Sequence, residues 1–246
     1  MTGWLLLMIL LVTWQVVASI RPTPELPSLT RIADAWWLEM RSGTLLPAFV
    51  DTVRVTLVGF AVATAVGVIV GFLMGRFRPI WAMLEPTVEL LRQTPVTALF
   101  PLLILYFGIG EQLKVVAVAL VATFPILLSS YTGARNVAAT MTETARTFKL
   151  SWLRTQWEVA LPCALPYVLV GMRQALGIAL VVSVVASMLA GNTGVGYYLM
   201  QAQQVLNVTA LFAGILSTAL VGYLLNQVFL VAEYFLTRWQ RYGTTS

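Results

Sequence analysis

Apolar residues run in long blocks along this chain, and the polar positions are gathered between them. A bilayer hydrocarbon core of about 30 Å takes roughly 20 residues of helix at about 1.5 Å each. Six runs approach that length, at about 3–20, 53–75, 90–108, 113–131, 166–190 and 208–232, and each predicts a membrane-crossing helix. The first also resembles a secretion signal, since "VVAS" looks like a small-residue cleavage site. The preceding "MTG" carries no Lys or Arg, however, so a retained helix is expected. Between the first two runs, "RPTPELPSL" (21–29) predicts an extended connector. "IADAWWLEM" (32–40) then predicts a helix at the membrane surface or, equally, a loop anchored by Trp36 and Trp37.

The pattern changes between about 132 and 165, where "TETARTFKLSWLRTQWEVALPCALP" (142–166) is the most polar long stretch of the chain. Two spans can be joined by a few residues, so some thirty ordered residues point to a function. Met141, Ala145 and Phe148 fall on one face of a short helix that Thr142 is placed to cap, with Glu143 in its first turn. Ser151 is placed to cap a second, with Trp152, Gln156 and Val159 on one side and Leu153, Trp157 and Leu161 on another. Pro162 and Pro166 would then set the chain's exit. A short helix held below the membrane on two spans can act as a lever against a soluble partner, or simply pack on the bundle.

Composition agrees with the pattern. Hydrophobic residues make up 59% and charged residues 10% of 246, against roughly a quarter charged in soluble domains, so the class is an all-α integral membrane protein in one domain. There is no His and a single Cys, Cys163, which leaves zinc, haem, iron–sulfur and disulfide frameworks without their usual ligands. The net charge of +5 reads as a topology signal rather than a nucleic-acid footprint, because the basic residues sit beside the spans. With both termini inside, Arg76, Arg78, Arg135, Arg146, Lys149, Arg154, Arg238 and Arg241 are cytoplasmic, against Arg21, Arg31, Arg41 and Lys114 outside. That orientation is expected; Arg54, Arg92 and Arg173 sit near span ends and are left out of the count.

Few polar residues fall inside the runs. Ser183 and Ser187 share a helical face with Gly177 nearby, which suits close helix packing or a pore lining. Arg92, Gln93 and Thr94 precede Pro95, where a kink is expected, and Arg92 either attracts an anion or snorkels to headgroups. "AGNTGVGYY" (190–198), with Asn192, follows a membrane helix rather than a strand, so it reads as a re-entrant or gate turn and not a phosphate loop. Nothing resembles a P-loop. An intramembrane enzyme would need a Ser–Lys or carboxylate pair at depth, and none is evident.

Counted from Glu143, the run has Glu143, Thr144 and Ala145, then Lys149 at the seventh position, Val159 at the seventeenth, Leu161 at the nineteenth and Pro162 at the twentieth. This resembles the "EAA" signature of permease subunits of binding-protein-dependent ABC importers. "LLRQTPVTALFPLLILYFGIGEQLKV" (90–115), "LPCALPYVLVGMRQALGIAL" (161–180) and "AGNTGVGYYLMQAQQ" (190–204) look like the nitrate/taurine/aliphatic-sulfonate branch. The resemblance implies a type I importer permease fold with six spans and a cytoplasmic coupling helix, in a bacterial inner membrane. Glu143, Thr144, Ala145, Lys149, Leu161 and Pro162 would form the ATPase-coupling segment. The partners implied are two cytoplasmic subunits that bind ATP and Mg, a second permease subunit (a homodimer is expected), and an extracytoplasmic solute-binding protein. No cofactor is expected in the chain itself and no nucleic acid. Arg92, Gln93, Thr94, Ser183, Ser187 and Asn192 are candidates for the path or gate of a small, anionic solute. Lys149 stands where the family has Gly, and Ser187 where the branch often has Glu. An osmoprotectant-type permease and an ATP-independent secondary transporter are the alternatives; the latter usually shows inverted repeats and intramembrane carboxylates.

Overall fold

The computed structural model describes residues 2–21, 23–137 and 139–237. In chain order the helices are α1 (Thr2–Ile20), α2 (Leu29–Arg41), α3 (Leu45–Arg76), α4 (Arg78–Gln93), α5 (Val96–Phe107), α6 (Glu111–Arg135), α7 (Ala139–Thr147) and α8 (Trp152–Arg154). A π-helical turn, Thr155–Ala160, follows, then α9 (Leu161–Ala190), α10 (Val195–Gln204) and α11 (Val208–Leu236). Arg238 and Arg241, counted above with the cytoplasmic cluster, lie outside the described residues.

The centre of the fold is a contact without side chains. On α3, Gly59, Gly67, Gly71 and Gly75 face α6, and a Cβ built on them would meet Val118 Cγ1 at 2.5 Å, Ile126 Cβ at 2.9 Å, Leu127 O at 2.3 Å and Ala134 Cβ at 2.6 Å. In a membrane, where lipid tails are as apolar as leucine, helices associate by such close packing. The partners advance together along both helices, so α3 and α6 run parallel. The chain therefore crosses back between them, through α4 and α5.

α9 lies antiparallel against the same pair. Gly133 of α6 abuts Ala164 and Tyr167, Gly171 of α9 abuts Pro125 and Ser129, and Ser183 Oγ donates to Thr52 O at 3.3 Å. Val55, Ala63, Ala117, Ala122, Ala175, Ala179 and Ala186 fill the shared core, and α5 adds Phe100 and Leu103. α11 runs outside α9, with Phe229 edge-on to Phe60. The 32–40 stretch is helical: Ser28 accepts from Arg31 N to cap α2, and Trp36 Nε1 donates to Ser217 Oγ of α11 at 2.6 Å.

Two expectations need correction. Four helices are each long and apolar enough to cross a membrane: Leu45–Arg76, Glu111–Arg135, Trp152–Ala190 and Val208–Leu236. The 90–108 run is not one straight span. It is divided between α4 and α5, bent by 98°, which make at most one more crossing. Thr94 and Pro95 are extended at ψ 121° and 120°, because the proline disfavours the α conformation of the residue before it. The first run is a single apolar helix of 19 residues, Thr2–Ile20. Among the described residues four helices, or five with the bent pair, meet the length and hydropathy of a crossing, and α1 is a sixth apolar helix.

Pro162 and Pro166 do not separate the polar segment from the membrane helix; α8, the π turn and α9 form one rod, Trp152–Ala190, of 39 residues. The π turn bonds Leu161 N to Gln156 O. That register, one residue wider than α, relieves the crowding a proline ring meets in the turn before it.

The glycine contact yields a stability expectation. Gly71→Ala forces a methyl against backbone and is expected to destabilise by about 1–3 kcal/mol, whereas Gly177→Ala, whose Cβ has nothing within 4 Å, is expected to be neutral or stabilising by up to about 1 kcal/mol. Thermal unfolding of the two variants in nanodiscs checks the contrast.

Candidate coupling and translocation sites

At one end of the bundle α7 is a short polar helix that starts earlier than its sequence implied, at Ala139, so Thr142 lies inside it rather than at its cap. Glu143 and Thr144 are exposed and Ala145 is buried, because α7 packs on the π turn through its small face. The helix ends in a paired closure: Leu150 N bonds Ala145 O at 3.0 Å and Lys149 N bonds Arg146 O at 2.9 Å. This closure needs a left-handed residue, and Lys149 supplies it with φ +54°. Ser151 then caps the rod, accepting from Arg154 N at 3.4 Å.

The rod is tied to α3 where the two meet. Arg76 Nε donates to the buried Gln156 Oε1 at 2.6 Å, and Trp152 lies against Phe77 with ring centroids 5.6 Å apart. Leu161 and Pro162 are half-buried at the start of α9. Phe148, Trp152, Leu153 and Trp157 remain exposed, giving this end an apolar rim beside its charges.

The opposite end holds an ion pair that the sequence did not announce. Lys114, at the start of α6, is only 1% exposed, and its Nζ donates to Asp51 Oδ2 of α3 at 2.6 Å and to Thr193 Oγ1 at 3.0 Å. Thr193 Oγ1 also donates to Asp51 Oδ2 at 3.0 Å. Burying a lone ammonium is costly, and these two acceptors together with Thr193 O at 3.3 Å offset that cost. Gly194, at φ +100°, packs on Asp51, Thr52 and Ser187. The free N–H groups of the first turn of α10 are taken up by side chains of α3 and α9: Val195 N donates to Thr52 Oγ1 at 2.9 Å and Gly196 N to Ser187 Oγ at 3.1 Å. Burial pushes the Tyr198 phenol of α10 up to about 12, with Glu39 adding to the shift, so it stays neutral at physiological pH. Ser183 and Ser187 are thus buried and bonded within the packing, while Asn192 is exposed on the turn.

Arg92 and Gln93 lie apart from both clusters, exposed at the end of α4. Arg92 is paired with Glu89 through two 2.7 Å bonds, Gln93 bonds the same carboxylate at 2.9 Å, and Thr94 marks the bend. Lys114, read from sequence as one more outer charge, was recognisable only by its position inside an apolar run; its partner is 63 residues away. Gln156 was placed on a helix face by its spacing, but nothing in the sequence marked it as the partner of Arg76.

The family model of the binding-protein-dependent transport system inner membrane component matches residues 63–242. A Bacillus subtilis (strain 168) protein named as an aliphatic sulfonates transport permease, SsuC, is 34% identical over 98% of this chain and 88% of its own length. The Escherichia coli (strain K12) taurine transport system permease protein TauC is 32% identical over 76% of this chain and 67% of its own. The fold matches a chain of the inward-facing MetNI methionine ABC transporter with a TM-score of 0.71 at 19% identity, over 81% of this chain and 99% of that one. The chain belongs to the binding-protein-dependent transport system inner membrane component family. It is a permease subunit of an ABC importer with the type I fold, a transport component rather than a catalytic one.

Two substitutions probe these ends. Lys149→Gly removes the Cβ from a left-handed position and is expected to stabilise by about 1 kcal/mol, read as a rise in melting temperature. Lys114→Met leaves Asp51 without its cation and is expected to cost about 3 kcal/mol, most of it recovered in Lys114→Met combined with Asp51→Leu; denaturant or thermal unfolding of the three proteins in nanodiscs checks both steps.

Proposed function

We propose that α7 is the element through which a cytoplasmic ATP-hydrolysing subunit drives this permease. Two copies of the chain would enclose the path for a small anionic solute, a sulfonate or related oxyanion, delivered by an extracytoplasmic binding protein. The observation that carries the proposal is mechanical: Glu143 and Thr144 are exposed on a short helix that a closed turn fixes to a rod of 39 residues, roughly 55–60 Å at 1.5 Å per residue. A push at α7 therefore moves α9 as a body. ATP and Mg are held by the ATPase partner, two copies of which would face the two permease subunits.

Several features support the finer parts of this reading. The basic residues near α7, with Arg76, Arg78 and Arg135, favour a cytoplasmic position for that end and for both termini. So few spans in one chain enclose no path alone, which supports a second subunit. The sulfonate and taurine names of the relatives support an oxyanion cargo. Alternating access then amounts to a two-state bundle, biased at one end by nucleotide and at the other by the loaded binding protein.

Glu143→Arg reverses the charge α7 offers its partner. Partner-dependent ATP hydrolysis in nanodiscs is expected to fall at least about tenfold, with unchanged melting of the permease alone, since the side chain is exposed. Undiminished hydrolysis would remove α7 from the coupling path.

A further inference from the structure

Arg173, placed near a span end by the sequence, is the single charged residue between Leu161 and Ala190, and in the structure it stands well inside the rod. It lies 21 residues from Trp152 and 17 from Ala190, and its neighbour Gly171 packs on Pro125 and Ser129, well inside α6. Along the rod that is about 25 Å from the Arg76–Gln156 contact and about 21 Å from Ser187, at 1.5 Å per residue. A guanidinium this far from both polar ends of the bundle needs polar partners, since leaving it against lipid costs several kcal/mol. Its Nε donates sideways to Asn226 Oδ1 of α11 at 3.3 Å.

The arrangement lacks a counter-charge. Lys114 has Asp51, Arg54 has Glu111 and Arg92 has Glu89; among the described residues Arg173 has no carboxylate at ion-pair distance. Within the two helices that meet here, α9 has no acidic residue and the nearest on α11, Glu233, is about two turns further along. With Asn226 Oδ1 taken up by this bond, the donors that project from the pair are the two terminal nitrogens of Arg173 and the amide nitrogen of Asn226.

Space is left in front of these donors. One turn from Arg173 is Gly177, whose Cβ would meet nothing, while Gly222, one turn from Asn226, lets Leu180 of α9 approach α11 closely. With Leu180 and Leu225 as apolar walls they outline a notch of about 50 Å³ between α9 and α11, enough for one small head group.

We propose that Arg173 and Asn226 form an oxyanion-binding point at mid-membrane on the translocation path, which takes the sulfonate or equivalent head of the cargo; the proposal rests on the importer reading above. An acceptor-only, negatively charged head satisfies the spare donors, and what it chiefly takes from Arg173 is the positive charge. Arg92, already neutralised by Glu89, is not the cation the anion meets at depth.

The test uses the whole importer, with its ATP-binding subunit and binding protein, in proteoliposomes, and measures ATP-driven uptake of ethanesulfonate, taurine and nitrate. The wild type is expected to carry at least one of them. Arg173→Gln is expected to lower that uptake about tenfold or more, the size of a lost charge-assisted contact. Arg173→Lys is expected to stay within about threefold of wild type, and Asn226→Asp, which supplies a fixed counter-charge, to fall like the glutamine variant. Full uptake by Arg173→Gln overturns the binding point and leaves the importer reading standing. Equal loss in the lysine and glutamine variants, with the complex assembled, also overturns it, since the side chain then acts by shape and not charge. A wild type that carries none of the three anions, only neutral or cationic solutes, overturns the anionic reading and the binding point together.

Discussion

The contact on which the rest depends is the close approach of α3 and α6. Four glycines on α3 let the backbones meet where any side chain would collide with Val118, Ile126, Leu127 or Ala134. Such packing replaces the hydrophobic drive that a bilayer does not provide between helices. It also sets the two helices parallel, which obliges α4 and α5 to recross, and it creates the groove that α9 fills with Ala175, Ala179 and Ala186. Both polar ends are then built on the same three helices.

Those ends differ in kind. At the α7 end the side chains that matter are exposed, and the local structure is held by backbone closure, at the cost of a lysine in a left-handed conformation. At the other end a buried ion pair, Ser187 and Thr52 pin residues 193–196 to α3, α6 and α9. A buried pair of this sort is a strong constraint when intact and a penalty when one partner is lost. One rigid rod, Trp152–Ala190, joins the two ends and carries Arg173 between them.

Much of the architecture was legible in the residues. Long apolar runs, the break at Pro95 and the cap at Ser151 are local properties, and each reappears in the structure. The start of α7 was misplaced because Thr142 is a good cap that the fold does not use as one. The prolines were overread: Pro162 ends a helix only where the preceding turn is α, and here it is π. The 90–108 run looked like one span because hydropathy does not register a 98° bend.

By itself the sequence determined the class of protein, the positions of the apolar helices and the polar segment between 132 and 165, because hydropathy, capping and proline geometry act over a few residues. Only the tertiary structure decided that Lys114 meets Asp51, that Gln156 receives Arg76 and that Arg173 faces Asn226. Those pairs are separated by 63, 80 and 53 residues, and what joins them is the glycine-mediated packing of whole helices, which no local pattern of residues encodes.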